Sequence, residues 1–416
     1  MPVRTARAIS LAAVASTLFV SVLSACAAPS TGPGDTGRQH GIDWRPCPVG
    51  ELTTRECGTV SVAVDPADPD AGTIDLAVSR LPASAPAERI GVLVTSPGGP
   101  GISGLRSAVA HGLFLPERLR QRFDVIGFDR RGVGQSAKVE CAAAEEESDE
   151  PNELDDQAVT PDLTATEAAA RAYVGACERR IGPLIGHLGT ADVAADLESI
   201  RIALGEERIS LLMSSYDTLL AQAYMARYPR QVRAAVLDGA LDPDRDGPAF
   251  VAGTSHALED LVGDPPDRPL PTPSAELVDA VAALHPGPPD MGLNFGNHCA
   301  DFAWPTDIGQ LVRRLTEVGG WRSVREGYGA CAFWPRGEAL GPLRPGADAV
   351  APLVVNSHGD VRTPAAGARA VADRFGGTLV LVPGTAHGLV GSGYGCAEAA
   401  ATEYLLDPTA PVSPPC

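Results

Sequence analysis

The sequence predicts an α/β protein with one mostly parallel central sheet, flanking helices and an inserted helical lid. Short apolar strand patterns alternate with helical patterns, which favours parallel strands joined by crossover helices. The strand pattern stops near residue 243 and resumes at Leu353, so the segment between is expected to be an insertion within one sheet. Polar residues follow several strands directly, and open α/β sheets place their ligands at those ends.

The elements are expected in the following order. An opening antiparallel hairpin is predicted from two alternating or β-branched runs that flank a Pro- and Gly-containing turn. With the hairpin first, strands are expected at 58–64, 74–81, 90–96, 123–128, 209–213, 232–237, 353–356 and 379–382. Apolar residues at helical spacing predict helices at 190–204, 219–228, 275–284, 308–318 and 365–375.

The segment 209–218, ISLLMSSYDT, runs from a strand through a pair of serines into a helix. This succession is the setting in which the α/β-hydrolase fold holds its nucleophile, and it makes Ser215 the predicted nucleophile. Asp360 follows a later strand and His387 follows the last one, in the chain order of that fold. A serine needs an imidazole to take its proton, and a carboxylate to hold that imidazole. The three residues are therefore the predicted catalytic triad.

The serine turn departs from the usual Gly-x-Ser-x-Gly pattern, because Met213 and Asp217 stand where glycines are expected. Met213 would crowd the contact between strand and helix. A carboxylate about 5 Å from the oxyanion would cost roughly 3 kcal/mol at an effective dielectric near 20. Asp217 could instead point outward from the first turn of the helix, where a carboxylate is favourable. If the missing glycines limit the rate, restoring both is expected to raise turnover.

The N-terminus is predicted to be a targeting segment. Two arginines precede an apolar run that ends in Leu23-Ser24-Ala25-Cys26, which resembles a bacterial lipobox. The resemblance implies a signal peptide at 1–25, a lipid on the Cys26 thiol, and a flexible tether at 26–43. An ordinary secretory signal is the alternative. The formal net charge of −19 argues against nucleic acid as a partner, and against membrane contact other than through the anchor.

The cysteines support export. Without Cys26, eight remain, and an even number in an oxidising compartment favours disulfides. Proximity along the chain predicts the pairs Cys47–Cys57, Cys141–Cys177, Cys299–Cys331 and Cys396–Cys416. No His or Cys cluster in the sequence has the spacing of metal ligands, so neither a metal nor another cofactor is expected.

Several motifs together resemble the exported tripeptidyl-aminopeptidase and proline-iminopeptidase group of α/β-hydrolases, including its TAP-like C-terminal region. They are Trp44–Cys47, Pro97–Gly101, Phe128–Ser136, Ser215-Tyr216, Val236–Gly239, Asp360 with Thr363-Pro364, His387-Gly388, and Tyr404–Leu406 before Cys416. The resemblance implies the triad named above, with the N–H groups of Tyr216 and Gly99 as oxyanion donors. In that group acidic lid residues hold the free amine of the substrate, and Asp301 is the best candidate here.

The domain boundaries follow from these predictions: a hydrolase core at 44–243, a lid at 244–349 and the rest of the core at 350–416. We expect a lipid-anchored serine hydrolase on the outer face of the cell membrane. It would be an exopeptidase that releases residues or short peptides from free N-termini through an acyl-enzyme. One alternative is a catalytically impaired lipoprotein that binds peptide or a partner, and another is an esterase that uses the same triad.

Overall fold

The computed structural model describes residues 41–47, 55–105, 108, 114–139, 141, 162–253, 291–317, 328–336 and 340–412. For 291–295 only the backbone is described. The predicted signal peptide, Cys26, the first part of the tether, the helix expected at 275–284 and Cys416 lie outside these residues, so those predictions stay open.

Nine strands of the described chain form one sheet. They are β1 Arg45–Pro46, β2 Glu56–Asp65, β3 Asp68–Leu81, β4 Gly91–Ser96, β5 Phe123–Phe128, β6 Ile209–Ser214, β7 Val232–Asp238, β8 Leu353–Ser357 and β9 Thr378–Val382. Their spatial order is β1-β2-β3-β5-β4-β6-β7-β8-β9. The pairs from β5 onward in that order are parallel, whereas those among β1, β2, β3 and β5 are antiparallel. The predicted mostly parallel sheet is confirmed.

The opening hairpin is longer than the sequence predicts. Its turn is Pro66-Ala67 alone, closed by the pairing of Asp65 with Asp68 and by a 2.8 Å hydrogen bond from Ala67 N to Asp65 Oδ1. The strands extend into residues that are typical of turns. This end of the hairpin is exposed to solvent, so a proline or glycine there leaves no buried backbone group without a partner.

Helices cover both faces of the sheet. They are α1 Glu117–Arg122, α2 Leu163–Ile181, α3 Thr190–Ala203, α4 Thr218–Arg227, α5 Met291–Asp301, α6 Ile308–Glu317, α7 Ala365–Phe375 and α8 Gly395–Leu406. Alternate residues of a strand supply two separate cores. In β4, Val92 and Val94 join the core that contains α3 and α4, whereas Leu93 joins the core that contains α1 and α8. Burial on both faces explains why the parallel strands are continuous apolar runs.

The segment between β7 and β8 contains α5, α6 and a short 3-10 helix at Tyr328–Ala332. β7 and β8 nevertheless pair directly, with Val236 opposite Leu353. The segment is therefore an insertion between adjacent strands, at the position where the sequence predicts a lid. The boundaries 244 and 349 remain predictions.

Three of the four predicted disulfides are formed: Cys47–Cys57, Cys141–Cys177 and Cys299–Cys331. The fourth prediction involves Cys416, which is not described. Disulfides are typical of oxidising compartments, so these three support export. Among the described helices, none has both the length and the apolar character that a membrane span requires.

Candidate active site

Ser215 lies on a strained turn at the carboxyl end of β6. A single 3-10 turn, Ser215–Asp217, joins that strand to α4. Ser215 has a φ of +54°, in the left-handed region that costs an L-residue about 1–2 kcal/mol. In the described chain only one other non-glycine residue, Ala137, has a positive φ. A sharp, strained turn from strand to helix is the backbone geometry of an α/β-hydrolase nucleophile.

The space that this turn needs comes from a neighbouring loop. A Cβ added to Gly98 would lie 2.6 Å from Ser214 O, 2.7 Å from Ser215 Cβ and 2.8 Å from Tyr216 N. Gly98 therefore permits the close approach of this loop to the serine turn. Met213 is a position of β6 that is fully buried in the core that contains α3 and α4.

Asp360 and His387 are brought together, as predicted. Asp360 Oδ2 lies 2.8 Å from His387 Nδ1. The carboxylate also accepts hydrogen bonds from Arg362 N at 2.9 Å, Thr363 N at 3.0 Å and Thr363 Oγ1 at 2.7 Å. A carboxylate held on Nδ1 favours the tautomer with a proton there, which leaves Nε2 free to accept a proton.

His387 also lies next to the serine turn. Ser214 pairs with Asp238, the last residue of β7, and Gly239 follows directly after that strand. A Cβ on Gly239 would lie only 3.3 Å from His387 Cε1. The hydrogen bonds of the described residues do not include one from Ser215 Oγ to His387, although such bonds are often long before substrate binds. The triad therefore remains a prediction, with its Asp–His part assembled.

Asp238 is a buried acid to which the sequence assigned no role. Its Oδ2 accepts hydrogen bonds from Leu389 N at 2.7 Å and Val390 N at 2.9 Å. Those residues closely follow His387, so Asp238 holds the loop that carries the histidine. Burial raises the pKa of Asp238 to about 6, against the opposing effect of the two N–H donors. Only its place in the Val236–Gly239 motif marked it in the sequence.

Asp217 points inward, and its charge is paired. Arg130 Nη1 donates to Oδ1, and Ser96 Oγ donates to Oδ2. Gly98 N also donates to Oδ2, at 3.3 Å. Arg130 is 2% exposed and Asp217 0%. Neither sequence interpretation holds, because the carboxylate is neither turned outward nor an uncompensated charge. Instead it ties the serine turn to the loop after β4.

Arg130 extends this buried network toward the insertion. Burial by itself would lower the pKa of Arg130, but the charges of Asp217 and Asp301 outweigh it and raise the pKa. Its Nη2 donates to Thr190 Oγ1 at 3.0 Å. The guanidinium carbon lies 5.6 Å from the centroid of the Tyr216 ring. The arginine therefore stays charged, and it links the serine turn to the start of α3.

Asp301, the predicted amine-binding acid, is buried at the end of α5. Its Oδ1 accepts from Thr190 N at 2.5 Å, and its Oδ2 accepts from Thr190 Oγ1 at 2.6 Å and Tyr216 OH at 2.7 Å. Burial raises the pKa of Asp301, opposed by the Arg130 charge. A substrate amine would have to displace these donors. The surroundings therefore favour a role in holding Tyr216, and they do not favour the predicted role.

The two predicted oxyanion residues come from adjoining segments. Gly98 lies against Tyr216 N, which brings the loop 97–101 next to the start of the turn after β6. Because Gly98 N already donates to Asp217, Gly99 remains the predicted donor from this loop. Gly99 has a φ of +114°, which favours glycine.

An aromatic cluster from the insertion covers the Tyr216 ring. The His298 ring lies 5.0 Å from it and 4.9 Å from Phe250, centroid to centroid. Its Nδ1 lies 3.0 Å from Tyr328 OH. Burial, and then the charge of Arg130, lower the pKa of His298 to about 3, so the ring is neutral. In the chain as described, no group of His, Cys, Asp and Glu is arranged to hold a metal ion.

Two family models match the sequence. The model of the alpha/beta hydrolase fold matches residues 91–294, and that of the TAP-like protein matches residues 321–415. The chain is a TAP-like α/β-hydrolase. This confirms the predicted fold and family, and with the relatives below it makes the chain a serine hydrolase of the peptidase-like kind.

Three relatives of this hydrolase carry names that bear on its activity. Serine protease Hip1 of Mycobacterium tuberculosis (strain ATCC 25618 / H37Rv) is 28% identical over 473 residues, which cover 89% of this chain and 90% of that protein. Tripeptidyl aminopeptidase of Streptomyces lividans is 36% identical over 211 residues, which cover 50% of this chain and 39% of that protein. Carboxylesterase B of the same M. tuberculosis strain is 28% identical over 449 residues, which cover 87% of this chain and 86% of that protein.

Proposed function

We propose that this hydrolase is an exported exopeptidase that forms an acyl-enzyme at Ser215. The observation that carries the proposal is the left-handed serine at the end of β6, beside a histidine held by a buried carboxylate. The exopeptidase mode is supported by the tripeptidyl aminopeptidase relative, which matches half of this chain.

The proposed reaction begins when His387 Nε2 takes the proton of Ser215 Oγ as the oxygen attacks the scissile carbonyl. The N–H groups of Tyr216 and Gly99 stabilise the oxyanion, and each such donor contributes about 2.7–4 kcal/mol. His387 then gives the proton to the departing amine, and Asp360 stabilises the imidazolium throughout. Water then attacks the acyl carbon as His387 Nε2 takes its proton. The proton passes to Ser215 Oγ as the acid product leaves.

A labelled fluorophosphonate tests the nucleophile. We expect covalent capture at Ser215 in the wild type and none in Ser215→Ala, with the site read by peptide mass mapping. Asp360→Asn should slow turnover roughly 10⁴-fold while the protein stays folded, because the histidine loses its tautomer control. Capture at another serine, or unchanged turnover in Asp360→Asn, would remove the triad from the proposal.

A second candidate is a catalytically silent hydrolase that binds peptide or a partner. The replacement of both glycines of the serine turn, by Met213 and Asp217, favours it. Folded protein that binds peptides but is not captured by the fluorophosphonate would support this candidate.

The carboxylesterase relative favours an esterase as the third candidate. Rates on aminoacyl-arylamides and on simple acyl esters separate it from the peptidase. A requirement for a free amine would exclude the plain esterase, and faster turnover of neutral acyl esters would exclude the exopeptidase.

The lipid anchor is also a proposal, based on the lipobox-like segment that ends in Cys26. In an expressing bacterium the full-length protein should fractionate with membranes and carry a diacylated N-terminal cysteine by mass spectrometry. Cys26→Ser should release it into the soluble fraction. Membrane association of that variant would contradict the anchor.

A further inference from the structure

A small cleft lies directly beside the predicted triad. Ala240 and Leu241 line it, immediately after Gly239, and Arg362 lines it two residues after Asp360. Phe250 forms part of its wall, and its ring packs edge-on against the Tyr216 ring with the centroids 6.4 Å apart. A group in this cleft would therefore lie among residues that closely follow Asp238 and Asp360, next to a ring that packs against Tyr216.

The charges that line the cleft favour an anion. Arg245 and Arg362 bring two guanidinium groups, and Asp242 brings one carboxylate. Asp242 Oδ1 already accepts from Arg374 at 3.0 Å. Neither cleft arginine has an ion-pair partner among the described residues. A Cβ on Gly253 would lie 2.6 Å from Arg245 Nη1, so the guanidinium lies directly against this glycine.

The acidic neighbours of Arg245 along the chain do not neutralise it. Asp244 Oδ2 lies 2.6 Å from Arg374 Nη2, and Asp246 Oδ2 lies 2.8 Å from Arg314 Nη2. Asp242, Asp244 and Asp246 are thus all paired with arginines other than Arg245. Two arginines that line one cleft and have no such pair therefore favour an anionic ligand there.

We propose that Arg245 and Arg362 form a carboxylate-binding subsite, and that the hydrolase favours substrates with a carboxylate close to the scissile bond. Guanidinium groups match carboxylates in planar, two-pronged hydrogen bonds that an amide cannot equal. The carboxylate could be an acidic side chain or the C-terminus of a short peptide. The inference rests on the proposed peptidase function for its consequence, but its binding step can be tested separately.

Binding is measured by calorimetry on Ser215→Ala, which cannot turn over. Ala-Glu-Ala amide is compared with Ala-Gln-Ala amide to test an acidic side chain, and Ala-Ala-Ala with its C-terminal amide to test a terminal carboxylate. One pair should show roughly tenfold tighter binding of the charged member at low salt. That difference should shrink as salt rises.

In the Ser215→Ala protein, substituting both arginines together, Arg245→Gln and Arg362→Gln, should abolish the difference in peptide affinity. Arg362 is exposed, so the single Arg362→Gln variant keeps the test valid if Arg245→Gln fails to fold. Arg313→Gln, at an exposed position of α6 outside the cleft, is the matched control and should retain the full difference. Equal affinities within both pairs, no binding of any peptide, or a difference that survives both substitutions would overturn the subsite. If the fluorophosphonate does not capture the wild type while the Ser215→Ala protein still prefers the charged peptide, the peptidase proposal alone is overturned.

Discussion

Replacing Asp217 with glycine restores the usual motif, but the structure predicts that it destabilises the protein. The carboxylate receives a buried arginine, a buried hydroxyl and a backbone N–H. Removing one partner of a buried ion pair costs roughly 3–5 kcal/mol because the other charge stays unpaired. Arg130 would keep Thr190 Oγ1 and the nearby Asp301 charge, which favours the lower end, about 3 kcal/mol.

A loss of about 3 kcal/mol raises the unfolding equilibrium constant about 150-fold, a large part of typical protein stability. Urea unfolding followed by tryptophan fluorescence measures it. Turnover of Asp217→Gly should fall, because Ser96 and Gly98 lose the acceptor that holds the oxyanion loop. This reverses the sequence expectation that restored glycines raise the rate.

A double-mutant cycle provides the control. Arg130→Met together with Asp217→Gly removes both charges, so the pair should recover much of the stability lost by Asp217→Gly alone. The reasoning is refuted if Asp217→Gly unfolds within about 1 kcal/mol of the wild type, or if the two substitutions are simply additive.

Three further predictions follow from single residues. Ser215→Gly should be more stable than Ser215→Ala by about 1 kcal/mol in urea unfolding, because glycine adopts φ +54° without the left-handed penalty; equal stabilities would contradict a strained turn. Asp238 has its folded pKa raised from 3.8 to about 6, so its neutral form is favoured on folding, and about 3 kcal/mol of stability is lost as pH rises from about 4 through 6. Asp238→Asn should flatten that part of the stability profile, and an unchanged profile would count against it. His298 has its folded pKa lowered from 6.5 to about 3, so the wild type should lose about 2 kcal/mol between neutral pH and pH 5, where the unfolded chain takes up the proton. His298→Phe should remove that acid loss, as followed by unfolding at pH 7 and pH 5.

Chain order was enough to predict the triad candidates. Ser215, Asp360 and His387 each follow a strand, and parallel strands place their carboxyl ends at one edge of the sheet. The pairing of Asp360 with His387 thus agrees with a prediction made without coordinates. Asp238 lies at the same edge, yet nothing in the sequence indicated that its carboxylate binds the loop after His387.

Asp301 shows the limit of assigning a role from position alone. The sequence places an acid in the insertion, where the family holds a substrate amine. Its hydrogen bonds to Thr190 and Tyr216 depend on how α5 packs against α3 and the serine turn. Packing between distant segments leaves no local pattern, so the engagement of this carboxylate could not be read from the sequence.

The sequence by itself determined the layered α/β fold, the family and the identity of the nucleophile candidate, because strand periodicity and turn chemistry are local properties. The tertiary structure alone decided what surrounds the serine turn. Gly98 lets the loop after β4 approach it, and Arg130 supplies the charge that balances the Asp217 carboxylate. Both partners come from remote segments, and a buried charge is tolerated or costly according to the groups that surround it in space.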